Sequence, residues 1–193
     1  MHAAPIMDRE PARRRDFLIV MAATVGTLEA TALAWPAITQ IDFSPSLDFL
    51  DNTYLDLSVV QPGQSITLVW KGKPVFVRRR LKQEIEAARA VPLADLKDPF
   101  ARNRGLASDA PATDANRSYG EDGEYIILIG ICTHLGCVPL GGKPTDIRGD
   151  YGGWYCPCHG AHYDTAGRVR KGPAPENMAI PKYRVSAEGM LKI

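Results

Sequence analysis

The sequence has little of what marks several large classes of protein. Its 193 residues contain only four cysteines, and the formal net charge is +1. A near-neutral chain has no general attraction to polyanions, so no nucleic-acid partner is predicted. Apolar residues make up 45% of the chain, which is enough for a packed core and excludes wholesale disorder. The length suits one anchoring segment and one domain of ordinary size.

Long apolar runs are scarce as well, and the chain contains a single one. Residues 17–41 form a stretch of 25 residues with one charged side chain, Glu29. A helix that spans a bilayer needs roughly 20 apolar residues, so this run predicts a transmembrane anchor over residues 16–41. A cleaved signal peptide and a buried helix of a soluble protein are the alternatives.

Charge is distributed unevenly on the two sides of the apolar run. Four arginines lie in the first fifteen residues, whereas residues 42–70 contain no lysine or arginine. The positive-inside rule then predicts that the N-terminus lies in the cytoplasm and that the following domain lies on the other side of the membrane. The segment Arg14-Arg15-Asp16-Phe17-Leu18 resembles a twin-arginine export signal, which suits a domain that folds before export.

The remaining chain is predicted to be mostly β. The cytoplasmic tail is assigned to residues 1–15, a flexible linker with Pro45 to residues 42–52, and the domain to residues 53–193. Alternating or apolar runs predict strands over residues 54–60, 65–70, 74–77, 125–131, 183–185 and 190–193, and a short helix over 81–90. The polar residues 103–120 are interpreted as an irregular surface insertion. Arg78-Arg79-Arg80 is interpreted as a solvated strand end or an interface.

All four cysteines fall in two short motifs that also contain histidine. The motifs are Cys132-Thr133-His134-Leu135-Gly136-Cys137 and Cys156-Pro157-Cys158-His159-Gly160, with 21 residues between His134 and Cys156. A Rieske-type [2Fe–2S] centre needs two thiolates on one iron and two imidazoles on the other. The Cys-x-His and Cys-x-x-His spacings supply this set, so the predicted ligands are Cys132, His134, Cys156 and His159.

Two cysteines, Cys137 and Cys158, remain outside this ligand set. In an exported domain they can be oxidised to a disulfide that joins the two loops. A structural zinc site is the competing interpretation, because Cys and His at short spacings also bind zinc. Six candidate ligands exceed the four positions of such a site. A catalytic cysteine–histidine pair is a weaker alternative, because no cysteine stands apart from the motifs. The nearby His162 is interpreted as a surface neighbour of the site rather than a ligand.

Together with the residues around them, the two motifs resemble the Rieske iron–sulfur subunits of cytochrome bc complexes, the ubiquinol–cytochrome c reductases. The resemblance extends over nearly the whole chain and includes Arg14-Arg15, residues 72–80, Gly153-Trp154-Tyr155 and residues 171–175. The polar insertion and the arginine-rich tail are similar to the α-proteobacterial form. The resemblance implies an all-β Rieske domain of three antiparallel sheets, with a small subdomain at about residues 130–176 that binds one [2Fe–2S] cluster.

The resemblance also implies roles for individual residues. The four predicted ligands keep that role, Cys137 and Cys158 form the disulfide, and His159 contacts the quinol and accepts its proton. Tyr163 matches a tyrosine whose hydroxyl bonds to a ligand-cysteine sulfur, and Ala161 stands where the family usually has serine. The proline loop that covers the third side of the cluster matches Gly172, Pro173, Ala174 and Pro175.

The implied function is that of an electron-transfer subunit of an oxidoreductase and translocase. The subunit takes one electron from hydroquinone and passes it to a c-type cytochrome, in a dimeric membrane complex with a cytochrome b and a c-type cytochrome. One alternative is the Rieske small subunit of another exported oxidoreductase, such as arsenite oxidase. A Rieske ferredoxin or oxygenase domain is a further alternative, but such domains usually lack the two extra cysteines and the anchor.

Overall fold

The computed structural model describes residues 13–39 and 52–193, which belong to two compact units divided after Pro45. The predicted tail up to residue 12 and the predicted linker up to residue 51 lie outside the described residues. In the first unit, helix α1 covers Arg14–Thr39. The Asp16 carboxylate accepts from the Arg13 backbone N–H at 3.1 Å, and a negative charge is favourable at this end of a helix.

The prediction of an anchor over residues 16–41 is confirmed as a helix but not as a transmembrane span. Within residues 13–39 and 52–193, none of the helices combines the length and the apolar character needed to cross a membrane.

The second unit is built from nine strands and two short helices among the described residues. The strands are β1 (Tyr54–Asp56), β2 (Ser65–Trp70), β3 (Lys73–Arg79), β4 (Tyr125–Ile129), β5 (Gly152–Cys156), β6 (Ala161–Asp164), β7 (Val169–Lys171), β8 (Arg184–Val185) and β9 (Met190–Lys192). The helices are α2 (Lys82–Arg89) and α3 (Asp114–Arg117). The strands form three antiparallel sheets in the orders β1-β9-β8, β2-β3-β4 and β5-β6-β7, so the predicted three-sheet architecture is confirmed.

The central sheet separates two apolar cores because successive side chains of a strand point to opposite faces. Val75 and Val77 of β3 belong to one core with Leu57, Tyr125 and Leu191. The intervening Phe76 belongs to the other core, which also contains Trp154, Tyr163 and the two free cysteines of the motifs. The Phe76 and Trp154 rings are parallel, with centroids 6.1 Å apart. The β5-β6-β7 sheet is thereby packed on the central sheet next to the motifs.

The predicted strand over residues 54–60 is too long. Regular pairing ends at Asp56, whose carboxylate accepts from the Ser58 backbone N–H at 2.9 Å and caps a 3-10 turn at Leu57–Val59. Strand β3 is longer than predicted, and it is joined to β2 by a two-residue turn. Both turn residues, Lys71 and Gly72, have positive φ, the conformation that hairpin turns of this length require.

The arginine run was wrongly interpreted as solvated at two of its three positions. Arg78 and Arg80 are 2% and 3% exposed. Arg80 donates to both carboxylate oxygens of Asp114, at 2.6 and 3.0 Å, and Arg78 pairs with Glu84 at 2.5 Å. Buried guanidinium groups are retained only where partners compensate their desolvation.

The insertion over residues 103–120 is not irregular throughout and not entirely at the surface. It contains α3, in which both Asp114 and Arg117 are buried. The Arg117 guanidinium donates to the backbone carbonyl oxygens of Ala101, Ala166, Gly167 and Met178. Burial lowers the pKa of Arg117 to about 10. The insertion is therefore bound to the β6–β7 turn, close in sequence to the second motif.

Candidate metal centre

The second motif occupies the turn between β5 and β6. Cys156 is the last residue of β5, and Ala161 is the first residue of β6. Gly160 has φ +72° and its N–H donates to the Cys156 carbonyl at 3.0 Å. The turn exposes His159 while it keeps Cys156 buried.

The first motif forms a closed loop shortly after β4. The Cys132 N–H donates to the Cys137 carbonyl at 2.8 Å, and the Gly136 N–H donates to the Cys132 carbonyl at 3.0 Å. Gly136 has φ +84°, which favours glycine, so the Leu135-Gly136 pair can turn the chain back on itself. Leu135 is 70% exposed at the tip of this loop.

The fold brings the predicted ligands of the two motifs together in pairs. Cys132 and Cys156 are both 2% exposed, and neither is in a disulfide. The imidazole rings of His134 and His159 lie edge to face, with centroids 4.6 Å apart. The buried Nδ1 atom of His134 has no hydrogen-bond partner among the described residues. A buried nitrogen without a partner is costly, and a metal bond at this atom would remove that cost.

A disulfide joins Cys137 to Cys158, so the predicted pairing is confirmed. The sulfurs of Cys137, Cys156 and Cys158 all lie within 4.8 Å of one another. Because two of these three sulfurs are bonded to each other, Cys156 is the one in this group that can be a thiolate ligand. The bridge covalently connects the two loops that carry the predicted ligands.

Hydrogen-bond donors surround the two free sulfurs. Burial raises the pKa of the Cys156 thiol, and contact with Cys132 raises it further. The backbone N–H groups of Cys158 and His159 act in the opposite direction by donating to the Cys156 sulfur. These donors favour a negatively charged sulfur, which is the form that binds metals.

Tyr163 places a further donor on the other sulfur, where the resemblance implied one. Its hydroxyl lies 3.3 Å from the Cys132 sulfur and accepts from the Thr133 backbone N–H at 3.2 Å. Because the Thr133 N–H occupies the acceptor side, the hydroxyl proton can point at the sulfur. Burial raises the pKa of Tyr163, so the phenol stays protonated and remains a donor.

The proline loop lies directly on the second motif. Gly172 has φ +92°, and a Cβ at this position would be 2.3 Å from the Gly160 carbonyl oxygen and 2.7 Å from the Ala161 Cα. Only a glycine fits this approach of one backbone to another. Ala174 is fully buried, whereas Pro173 and Pro175 are exposed.

Comparison with known proteins identifies the family. Residues 109–184 match the family described as "Rieske [2Fe-2S] domain", and residues 6–45 match "Ubiquitinol-cytochrome C reductase Fe-S subunit TAT signal". The chain is 49% identical over 180 residues to the "Ubiquinol-cytochrome c reductase iron-sulfur subunit" of Cereibacter sphaeroides. This alignment covers 93% of this chain and 94% of the relative. The chain belongs to the Rieske iron–sulfur subunits of ubiquinol–cytochrome c reductase.

Two further relatives with the same name support this membership. The protein of Rhodobacter capsulatus is 45% identical over 185 residues, covering 93% of this chain and 94% of the relative. The protein of Rhodospirillum rubrum is 45% identical over 170 residues, and the alignment covers 88% of this chain and 85% of the relative. The predicted α-proteobacterial type is confirmed, and the arsenite oxidase alternative is not favoured.

The residues present fit the [2Fe–2S] cluster that the Rieske family carries. The disulfide leaves two cysteines and two histidines as donors, one of each per loop. Such a set could also bind zinc, so the donor set alone does not choose the metal. The match to the Rieske family over both motifs decides for the cluster.

His162 lies in the same strand as Ala161 and Tyr163 but has other partners. Its Nδ1 accepts from the Asp150 backbone N–H at 3.1 Å, and its ring packs against Tyr155 with centroids 4.9 Å apart. These contacts agree with the interpretation of His162 as a neighbour of the site.

Two residues of the site were missed by sequence reasoning. The Thr133 hydroxyl donates to the Glu176 carbonyl at 2.7 Å and so ties the first motif to the segment after the proline loop. The Lys97 ammonium donates to the carbonyl oxygens of Gly172 and Ala174, at 2.9 and 2.8 Å. Thr133 could have been suspected from its place between two predicted ligands. No sequence signal connects Lys97 to a loop 75 residues away.

Proposed function

We propose that Cys132, His134, Cys156 and His159 hold the [2Fe–2S] cluster of this reductase subunit. The observation that carries the proposal is the convergence of two buried free cysteines and two facing imidazoles, one of each from either loop. When bound, the group accepts and releases one electron, and its two neutral imidazoles raise the reduction potential above that of an all-cysteine cluster.

His159 is the residue that contacts the quinol in this proposal. His159 is exposed, whereas His134 is half-buried and therefore less accessible. With the ring nitrogen that is not a ligand deprotonated, the exposed imidazole would accept a hydrogen bond from the quinol hydroxyl and then its proton at that nitrogen. A base within hydrogen-bond reach of the proton that it takes is the geometric requirement for this role.

The surrounding residues stabilise the negative charge that reduction adds. Tyr163 donates to the Cys132 sulfur, and the backbone N–H groups of Cys158 and His159 donate to the Cys156 sulfur. Donors to a charged acceptor form stronger hydrogen bonds than donors to a neutral one. Gly172 and the rest of the proline loop shield the second motif from water by packing on Gly160 and Ala161.

The proposed partners are a cytochrome b, a c-type cytochrome that receives the electron, and quinol, in a dimeric complex. The names of the relatives support the assignment to a ubiquinol–cytochrome c reductase. In this arrangement the head delivers its electron by moving on the linker predicted over residues 42–52. Transfer of the quinol proton to the periplasmic side contributes to proton translocation.

The proposed location is the bacterial inner membrane, with a single N-terminal anchor and a periplasmic head. The match of residues 6–45 to a family of twin-arginine signals supports export and anchoring. The excess of arginine before the apolar run supports a cytoplasmic N-terminus. The last residues of that run, 40 and 41, lie outside the described part of the chain.

Metal analysis of the purified complex tests the proposed function. Iron and acid-labile sulfide are each expected at about two per chain, with the electron paramagnetic resonance signal of a mixed His/Cys [2Fe–2S] centre after reduction. Zinc in place of iron, without such a signal, would exclude the cluster and with it the electron-transfer role.

Replacing Ala161 by serine is expected to raise the reduction potential. Ala161 is 1% exposed at the start of β6 and carries no hydroxyl, whereas a serine could donate to a cluster sulfur and stabilise the reduced form more than the oxidised form. A hydrogen bond to a charged group contributes roughly 1.5–3 kcal/mol, an upper range of roughly 65–130 mV at about 59 mV per tenfold change. A redox titration of both proteins should show a rise of several tens of mV, because the oxidised form also accepts the bond. An unchanged or lower potential would mean that the hydroxyl does not reach the cluster.

A further inference from the structure

The proline loop has two backbone carbonyl groups that face the same ammonium. Lys97 Nζ donates to Gly172 O at 2.9 Å and to Ala174 O at 2.8 Å. Each of these residues directly precedes a proline, so both acceptors belong to X–Pro peptide groups. Among the described residues, no backbone N–H donates to either carbonyl. Pro173 and Pro175 have no N–H of their own, so the loop cannot be held by strand pairing.

The backbone that carries Lys97 is itself anchored to the end of the same segment. The Asp98 carboxylate accepts from the Asn177 backbone N–H at 2.8 Å, and the Asp98 carbonyl accepts from the Asn177 side-chain amide at 2.9 Å. Asp98 is 2% exposed and also pairs with Arg102 at 2.8 Å. The side-chain oxygen of Asn177 accepts from the Val169 N–H at 2.9 Å, which extends the connection to β7. Lys97 therefore projects from a fixed base towards the loop.

We propose that Lys97 is a positioning residue that holds both X–Pro carbonyl groups of the proline loop and thereby keeps the loop closed over the second motif. The proposal rests on the proposed function, because it concerns the protection of the cluster that the four ligands hold. Ala174, which precedes Pro175, is already restricted to extended conformations. Gly172 is confined by the backbone of Gly160 and Ala161, so bracing both carbonyl groups leaves the loop little freedom. Gly172 then stays against Gly160 and Ala161, next to Cys156 and His159.

The expected effect is moderate because Lys97 is exposed and water competes for its ammonium. Lys97→Met removes the donors and the charge while it keeps a side chain of similar length. In the full chain within its membrane complex, we expect the cluster of this variant to be lost to an iron chelator roughly threefold to tenfold faster than that of the native protein. The electron paramagnetic resonance lines of the reduced protein should also shift or broaden, because the loop then adopts several positions over the cluster.

Two further variants make the test specific. Lys97→Arg keeps a positive charge and several N–H donors at this position. It should therefore restore the native line shape and bring the rate of cluster loss to within about twofold of native. Lys182→Met removes an exposed ammonium near β8, for which the described residues show no hydrogen bond or ion pair, and it should change neither measurement. The line shape and the rescue by arginine separate positioning of the loop from a general loss of stability.

Several outcomes would overturn the proposal. A Lys97→Met protein that matches Lys182→Met in both rate and line shape would show that the ammonium does not hold the loop. Equal damage by Lys97→Met and Lys97→Arg would show that a positive charge with hydrogen-bond donors at this position is not sufficient to hold the loop. A native protein that contains no [2Fe–2S] signal would instead refute the proposed function, before any variant is compared.

Discussion

His159→Gln is expected to eliminate the electron paramagnetic resonance signal of the reduced cluster and the oxidation of quinol by the complex. The substitution removes one of the four proposed ligands and the imidazole that takes the quinol proton. An amide is a poor replacement for an imidazole as an iron ligand, so we expect occupancy to fall to a few per cent of native, roughly the detection limit. Iron content, signal amplitude and quinol–cytochrome c reductase activity in the purified complex measure the loss.

The matched control lies three residues further along the chain. In His162→Gln, the side-chain oxygen of glutamine can accept from the Asp150 N–H in place of the His162 Nδ1, which accepts it at 3.1 Å. This variant should keep native iron content and at least half of the native turnover. Native iron content in His159→Gln, or an equal loss of iron in both variants, would contradict the proposed ligand set.

Cys137→Ala is expected to lower cluster occupancy and stability without removing a proposed ligand. The disulfide with Cys158 has a sequence separation of 21 residues and joins the two loops that contain the proposed ligands. A disulfide that closes a loop of this length contributes roughly 3 kcal/mol to the free energy of unfolding in the chain-entropy model. Iron content after purification and the half-life of the cluster at raised temperature should both fall well below native values.

The double variant Cys137→Ala with Cys158→Ala provides the control for the unpaired thiol. The sulfurs of Cys156 and Cys158 belong to a group within 4.8 Å of one another, so a reduced Cys158 could compete with Cys156 as a ligand. We therefore expect the double variant to retain at least as much cluster as Cys137→Ala, and less than the native protein. Native occupancy and turnover in Cys137→Ala would count against a role of the disulfide in holding the loops.

The chemistry of the centre could be predicted from residue types and local spacing. Each motif contains one predicted cysteine ligand and one predicted histidine ligand within four residues. A tight turn keeps such neighbours together in almost any fold. The spacings left Cys137 and Cys158 free to form a disulfide, the resemblance implied that they do, and the structure contains the bridge. Strands β2 and β3 were equally accessible, because apolar runs over residues 65–70 and 74–77 predict them from local pattern alone.

The strands of the third sheet and the burial of two arginines could not be predicted from local sequence pattern. Strands β6 and β7 have four and three residues, too few for a clear period, and their burial comes from packing on the central sheet. Arg78 and Arg80 look solvated in sequence because their carboxylate partners lie elsewhere in the chain, and Asp114 is 34 residues from Arg80. A charged side chain is buried where a distant partner compensates it, and sequence does not show that partner.

Short-range pattern and the family resemblance were therefore sufficient to propose the ligands and to predict the disulfide and the family, since these depend on residues that are neighbours along the chain. The placement of the proline loop was decided by tertiary contacts instead. Gly172 fits against Gly160 because their backbones meet across two turns, and Lys97 reaches that loop over a separation of 75 residues. The free energy that closes the loop over the centre comes from contacts between segments far apart in sequence, and only folding brings those segments together.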